Sequence, residues 1–369
     1  MLKVAIIGCG KIADAHAFLI QHIKGCEIVG VCDAEPLMAK QLFERFPVKA
    51  YFSDVDDLLT KARPEVVHIT TPPESHFPLA SRCLDAGAHV YVEKPFTLNA
   101  HDARKLVAHA TEKGRKLTVG HDAQFSPGAR RFRKMIEEGY LGGDPIHMES
   151  YYCYDLTAPG YAKALLGDKH HWVRRLPGKL LHNIISHGIA KLAEYFKTDQ
   201  PLVMAHGFVS ELLKGIGEHD VVDELRVILS EEKGPTAYFT FSSQMRPSVH
   251  QLRIFGPSQG LMFDQDQEVV IPLKGERLKS YLEKFVSPVQ LGGEYLKESR
   301  RNVRLFLAKD FHMGSGMRWL IRSFYDSIRT DGLVPIPYRE IILTAAIMDS
   351  IFEQVNARNA STHHLVERE

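Results

Sequence analysis

The chain opens on an apolar, β-branched run, Leu2–Ile7, that breaks directly into Gly8-Cys9-Gly10-Lys11-Ile12-Ala13. A strand ending in a glycine turn, followed at once by residues of helical period, constrains the fold more than any other feature of the sequence. It is the opening of a βαβ unit, with backbone N–H groups gathered at a helix start. The alternation continues. Runs at Glu27–Cys32, Ala50–Tyr51, Val66–Thr70, His89–Val92 and Lys116–Gly120 read as further strands. Between them, apolar residues recur at three-to-four spacing, as in Leu79, Cys83 and Leu84 or Ala103, Leu106, Val107 and Ala110, and mark helices that cover the sheet faces.

Residues 1–122 are therefore expected to form a doubly wound α/β domain of the Rossmann type. After Asp122 the pattern changes to a helix, about Gly128–Glu138, and then to strands of period two at Ile146–Tyr154, Leu202–Val209, Glu224–Ser230, Thr236–Ser242, Gln251–Phe255, Gly260–Phe263 and Glu268–Ile271. Short connections such as Glu231–Pro235 and Gly256–Gln259 imply antiparallel neighbours. Residues 123–369 thus read as an α+β domain built on a large, mainly antiparallel open sheet. Residues 155–180 read as a long loop rich in Gly, Pro, His and aromatics, the usual material of a binding loop. A last helix is expected over Tyr338–Ala357, with an apolar stripe at Ile341, Ala345, Met348 and Phe352.

A length of 369 residues suits two domains, and 44% apolar with 25% charged residues is the balance of an ordinary globular protein. The formal net charge of +1 gives no pull toward nucleic acid or anionic membrane, and no apolar run is long enough to span a bilayer. Cys9, Cys26, Cys32, Cys83 and Cys153 form an odd set with no Cys-x-x-Cys pair, which reads as reduced thiols in the cytoplasm. The first strand leaves no room for a secretory leader. Nineteen histidines are scattered, and the adjacent pair His170 and His171 lacks the spacing of a metal-binding helix face, so no metal is expected. A small molecule is the expected partner.

Gly8, Gly10, Lys11 and Ile12 supply the turn and helix start on which a dinucleotide pyrophosphate would sit. Asp33, 23 residues beyond Gly10, closes the second strand, where an acidic side chain accepts hydrogen bonds from the adenosine ribose hydroxyls. NAD is favoured over NADP, because a carboxylate ~4 Å from a 2′-phosphate is opposed by about 4 kcal/mol at an effective dielectric near 20. The fourth strand ends in Thr70-Thr71-Pro72-Pro73-Glu74-Ser75-His76 and the fifth in Glu93-Lys94-Pro95-Phe96, both at the carboxyl edge of the sheet, where cofactors bind in open α/β folds. Thr70, Thr71, Pro72, His76, Glu93 and Lys94 join the cofactor set.

The glycine turn, the Thr-Pro-Pro turn with His76, and Glu93-Lys94-Pro95 together resemble the signature of the Gfo/Idh/MocA family of oxidoreductases, and the resemblance spans nearly the whole chain. It implies an NAD-dependent dehydrogenase or reductase acting on a carbon-bound hydroxyl of a sugar, cyclitol or sugar derivative. It also implies a homodimer or homotetramer that buries the open sheet against a symmetry mate. Family roles carry onto Lys94, beside the nicotinamide and the substrate hydroxyl, and onto the helical element 178–187, where Asn183 and His187 share one face. His187 is the expected general base, since a histidine of ordinary pKa exchanges the hydroxyl proton in either direction near neutrality. Three positions depart from the family. Asn183 stands where many relatives carry aspartate and cannot add negative charge to an imidazolium; Ala190 replaces an aspartate, and Gln124-Phe125 an Arg-Phe pair.

His121, Tyr152, Tyr161, His171, Trp172 and Arg174 are the expected substrate residues, since aromatic rings stack on sugar C–H faces while polar groups direct the hydroxyls. Tyr154 and Arg175 lie close in sequence, and Arg300, Arg301 and Arg304 form a basic cluster suited to a nucleotide-sugar diphosphate. Two alternatives stand beside a dehydrogenase. One is a glycosidase or eliminase that uses NAD with no net redox; the other is a non-catalytic NAD(H)-binding regulator.

Overall fold

The computed structural model describes residues 1–156, 171–275, 279–312 and 314–366. They divide into two compact units, Met1–His121 with Met317–Ala345, and Asp122–Gly316 with Ala346–Glu369.

The first unit holds β1 (Leu2–Ile7), β2 (Cys26–Cys32), β3 (Tyr51–Phe52), β4 (Val66–Ile69), β5 (His89–Val92) and β6 (Leu117–Val119) in the order β3-β2-β1-β4-β5-β6. Every pairing is parallel, and the order reverses beside β1, as in a dinucleotide-binding doubly wound sheet. Helices α1 (Lys11–Ile20), α2 (Pro36–Arg45), α3 (His76–Asp85) and α4 (Ala100–Glu112) connect the strands. All of β1 except Lys3 is buried, and so is every residue of β4, because helices cover both faces. The expected strands fall within a residue or two of those found. Asn99 caps α4 by accepting from the Asp102 N–H at 2.8 Å.

In the second unit, α5 (Pro127–Glu137) leads into β7 (His147–Asp155); α6 (Lys179–Ile184) and α7 (Ser186–Ala193) follow. Strands β8 (Leu202–Phe208), β9 (Glu224–Ser230), β10 (Thr236–Ser242), β11 (Gln244–Phe255), β12 (Gln259–Asp264) and β13 (Val269–Lys274) complete a sheet of order β13-β12-β11-β7-β10-β9-β8. It is antiparallel throughout except for the parallel β7–β10 pair. Strand β11 begins well before the expected Gln251. The polar stretch around Pro247 hid it, and the register with β7 is irregular between Gln244 and Val249, where the proline is accommodated. Three long helices close the chain: α8 (Ser280–Leu307), α9 (Ser315–Arg329) and α10 (Tyr338–Val366). Of the expected loop 155–180, the described part holds a 3₁₀ turn at Trp172–Arg175 and the start of α6.

Helix α7 lies directly on β7, where the Ser150 hydroxyl donates to the Gly188 carbonyl at 3.3 Å. A Cβ at Gly188 would fall 2.5 Å from the Phe239 ring, so glycine at this position lets the helix approach the sheet. That approach sets the height of its neighbour His187 above β7.

Candidate active site

In the first unit, the strand ends that carry the cofactor motifs enclose an open cavity of about 640 Å³, lined among others by Gly8, Gly10, Asp33, Thr70, Thr71 and Pro72. Gly8 has φ +92°, and a Cβ there would meet Thr71 Cγ2 at 2.6 Å, so only glycine serves. Gly10 is the N-cap of α1 with no side-chain cap, which leaves the first-turn N–H groups of Lys11 and Ile12 free of any capping side chain. Asp33 holds this turn in place: Oδ2 accepts from the Cys9 N–H at 2.7 Å and Oδ1 from the Glu35 N–H at 2.9 Å. The cap of α2 is Glu35, so Asp33 is not spent on that role. The uncapped helix start, the glycine cradle and the carboxylate together fit a dinucleotide. Arg82, not singled out in the sequence, lines the same cavity with its Nη2 2.6 Å from Asp56 Oδ1.

His76 is fully buried, with Nδ1 2.9 Å from the Pro95 carbonyl oxygen and Nε2 2.9 Å from that of Thr71. It joins the Thr-Pro-Pro turn to the Glu-Lys-Pro turn from beneath. Thr70 is likewise buried, donating to the Gly8 carbonyl at 2.6 Å.

Beneath Lys94 runs a line of buried polar groups. His16 Nε2 lies 2.9 Å from Glu93 Oε1, His16 Nδ1 lies 2.8 Å from His68 Nδ1, and His68 Nε2 lies 2.7 Å from the Tyr325 hydroxyl. Burial raises the Glu93 carboxyl, but the His16 hydrogen bond, then the charges of His16 and Lys94, bring it below the ordinary glutamate value. Burial pushes His68 well below the ordinary imidazole value and Tyr325 well above that of a phenol. A carboxylate only accepts, so His16 donates from Nε2 to Glu93. These contacts link Tyr325 to Glu93 through His68 and His16, and Glu93 Oε2 in turn accepts from the Lys94 N–H at 3.2 Å. His121 is also buried, and burial together with the Lys94 charge drops its imidazole to about 4.

In the second unit, His187 and Tyr152 line a cavity of about 530 Å³ together with Asp122, Ser126, Gln265, Asp266, Glu268 and His312. The His187 and Tyr152 rings lie 5.8 Å apart at 31°. His250 packs edge-on against Tyr152 and sets Asp266 with a 2.7 Å contact from Nδ1 to Oδ1. Burial raises Asp266, and the His250 hydrogen bond and charge more than offset it. Glu268 is raised by burial, while its Oε2 accepts from the Gly128 N–H at 2.6 Å.

Sequence reasoning missed this acidic rim. Its signal was the polar run Gln265-Asp266-Gln267-Glu268 between two apolar strands. It also missed Lys191, four residues beyond His187 and eight beyond Asn183, hence on their helical face. Lys191 is buried, donates to Gln265 Oε1 and sits 5.5 Å from the centre of the Tyr152 ring. Burial lowers its ammonium to about 8 against the raising charges of Glu268, Asp266 and Asp122.

Of the remaining expected residues, Arg174 and His171 do not line the His187 cavity. Arg174 is engaged by Glu218, Nη2 to Oε2 at 2.5 Å, with both side chains largely covered. His171 Nδ1 accepts from the Val173 N–H at 3.3 Å and its ring lies 5.5 Å from that of Trp172. Tyr161 lies outside the described residues. In the basic cluster, Arg301 donates to the Pro127 carbonyl at 2.8 Å, whereas Arg300 and Arg304 are exposed. Among the described residues no cluster of His, Cys, Asp or Glu could hold a metal ion, and no helix is long and apolar enough to cross a membrane.

Residues 2–121 match the Gfo/Idh/MocA family model, described as an oxidoreductase family with an NAD-binding Rossmann fold. The chain is similar to the D-glucoside 3-dehydrogenase of Escherichia coli (strain K12), 31% identical over 142 residues, which cover 38% of this chain and 40% of that protein. It is also similar to the 1-carboxy-3-chloro-3,4-dihydroxycyclo hexa-1,5-diene dehydrogenase of Comamonas testosteroni, 27% identical over 247 residues, 65% of this chain and 58% of that one. The chain thus spans about half the length of these curated relatives. In fold it resembles the WlbA dehydrogenase from Bordetella pertussis, solved in complex with NADH and UDP-GlcNAcA, at TM-score 0.75 and 18% identity over 96% of each chain. With the glycine turn, the Thr-Pro-Pro turn and Glu93-Lys94-Pro95 at the ends of neighbouring strands β1, β4 and β5, residues 2–121 form an NAD-binding Rossmann domain that matches the Gfo/Idh/MocA oxidoreductase family.

Proposed function

We propose that this protein is an NAD(H)-dependent oxidoreductase that moves a hydride to or from the carbon of a hydroxyl group on a sugar, cyclitol or sugar derivative. The observation that carries this reading is the position of Lys94 at the carboxyl end of β5, with Glu93 fixed beneath it by His16. A pure binder has no use for a fixed lysine there. The cavity of His187 supports the substrate class, because it joins the rings of Tyr152 and Phe311 to three carboxylates and the Gln265 amide, which suit hydroxyl groups.

In this reading the domains divide the labour, with residues 1–122 holding the cofactor and 123–369 the substrate. NAD⁺, when bound, supplies the hydride acceptor. Gly8, Gly10 and the N–H groups of Lys11 and Ile12 hold its pyrophosphate, and Asp33 its adenosine ribose. Lys94 polarises the substrate oxygen. His187 takes the hydroxyl proton during oxidation and returns it during reduction, with Asn183 orienting the imidazole or the hydroxyl. Tyr152 lines the sugar-facing side, and His121, Trp172, His171 and Tyr161 are the further substrate candidates. The protein works as a homo-oligomer in the cytoplasm.

The test is a turnover screen of cyclitols, hexoses and nucleotide sugars with NAD⁺. The expected result is one NADH released per substrate consumed. Substrate conversion without NADH release would replace this reading with non-redox chemistry.

A further inference from the structure

Helix α8 is 28 residues long, yet only one of its faces meets its own unit. On that inner face, Glu298 is buried against Arg131 and accepts from the Val270 N–H at 3.0 Å, Arg301 donates to Pro127, and Asn302 donates to the Gln267 carbonyl at 2.8 Å. The opposite face is apolar and open. Leu282 is 42% exposed, Phe285 72%, Val289 74%, Leu296 62%, Val303 57% and Phe306 60%. With Gly292 and Ser299, these residues follow a strict three-four spacing from 282 to 306, the a and d positions of successive heptads, over about 36 Å of helix. A stripe this long and continuous, facing solvent, marks an interaction surface.

We propose that α8 pairs antiparallel with α8 of a second copy of this chain, across a two-fold axis at the level of Glu294. This register follows from the side chains. It sets Leu282 opposite the partner copy's residue 306 and Phe285 opposite its residue 303, large against large at both ends. At the centre, Leu296 meets the position of Gly292 and Val289 that of Ser299, so a large side chain enters the space left by a small one on each level.

Charge agrees with this direction. Glu283 and Arg304 are exposed near opposite ends of the helix, so antiparallel copies set the Glu283 end of one helix level with the Arg304 end of the other. A parallel pair would set two basic ends, each with Lys297, Arg300 and Arg304, side by side. Area agrees as well. Six apolar side chains at roughly 60–120 Å² each, with Tyr281, Tyr295 and Leu307 along the edges, bring each copy to the order of 800 Å² that a stable interface takes from one partner.

The surface is distinct from the open sheet. Two separate two-fold contacts on one chain close into a tetramer when their axes cross at right angles, whereas either alone gives a dimer. The proposal concerns assembly and stands whether or not the catalytic reading holds.

The test is the solution mass of the full chain by light scattering at micromolar concentration, for the wild type, Phe285→Lys, Val303→Glu and the double exchange. These exposed positions carry no packing inside the unit. The wild type is expected to be oligomeric, each single exchange to lower the mass by one two-fold step or weaken self-association at least ten-fold, and the double exchange to restore it. A monomeric wild type, or single exchanges with unchanged association, would overturn the proposal. A second measurement fixes the register: coexpressed Phe285→Cys and Val303→Cys chains should form a mixed disulfide on oxidation and neither chain a disulfide with itself. Self-disulfides in place of the mixed species would refute the antiparallel register, and so would a stripe that binds phosphatidylcholine vesicles as a monomer.

Discussion

His16 Nε2 donates to Glu93 Oε1 at 2.9 Å inside the first unit, and both side chains are buried, so the carboxylate beside Lys94 is oriented by a histidine that solvent does not reach. His16 is oriented in turn by His68, and His68 by Tyr325. Every group in this line is buried, so each depends on its neighbour for a hydrogen bond that water cannot replace.

Removing the last hydroxyl should therefore be felt. Tyr325→Phe leaves His68 Nε2 without its partner in a site closed to water and is expected to lower unfolding free energy by about 1–3 kcal/mol. His68→Leu removes the partner of His16 Nδ1 and should cost at least as much. Urea unfolding of the two variants checks this. Wild-type stability in Tyr325→Phe would show that the hydroxyl is not part of the line.

Cofactor preference should turn on Asp33, whose carboxylate lies in the cofactor cavity and braces the glycine turn through the Cys9 N–H. NAD(H) is expected to bind with marked preference over NADP(H). Asp33→Ala should narrow that preference by roughly 10- to 100-fold, chiefly by relieving repulsion of a 2′-phosphate. Fluorescence titration of both reduced cofactors measures the ratio, and an unaltered ratio in the variant would exclude Asp33 as its source.

Acid should destabilise the protein partly through His121, lowered to about 4 by burial and by the Lys94 charge. The unfolded chain binds this proton at an ordinary imidazole value near 6.5, so between about 6.5 and 4 the unfolded state holds more protons and stability falls as the pH falls. The cost is absent above that window and complete below it, on the order of 3 kcal/mol. The stability difference between His121→Gln and wild type should then shift in the variant's favour from pH 7.5 to pH 4.5, and a constant difference across that range would contradict the assignment.

The first unit was legible because each strand-to-helix turn is written in Gly, Pro or Asp, and those residues have few other uses at strand ends. The second sheet was legible where one face is covered, as in β9 and β10, whose alternation is plain. It was obscured where β11 runs through Pro247 with an irregular register. Of the candidate site, Asp33, Lys94 and His187 were named from motif, spacing and the family resemblance. The rim formed by Gln265, Asp266 and Glu268 was not, because those residues reach His187 only through the β12–β13 hairpin, and no local pattern announces a tertiary approach. Arg174 was an attractive candidate beside Trp172, yet Glu218, 44 residues away in sequence, holds its guanidinium.

The central claim is that hydride transfer to NAD⁺ is coupled to proton exchange at Lys94 and His187. It is tested most directly by following NADH formation with a substrate deuterated at the carbinol carbon, chosen from the sugar and cyclitol screen. Deuterium should appear in NADH at one per product, and Lys94→Ala and His187→Ala should each lower kcat by roughly 10²- to 10⁴-fold while the Kd for NAD⁺ changes little. Product formed with no deuterium in NADH, or wild-type turnover in both variants, would contradict it.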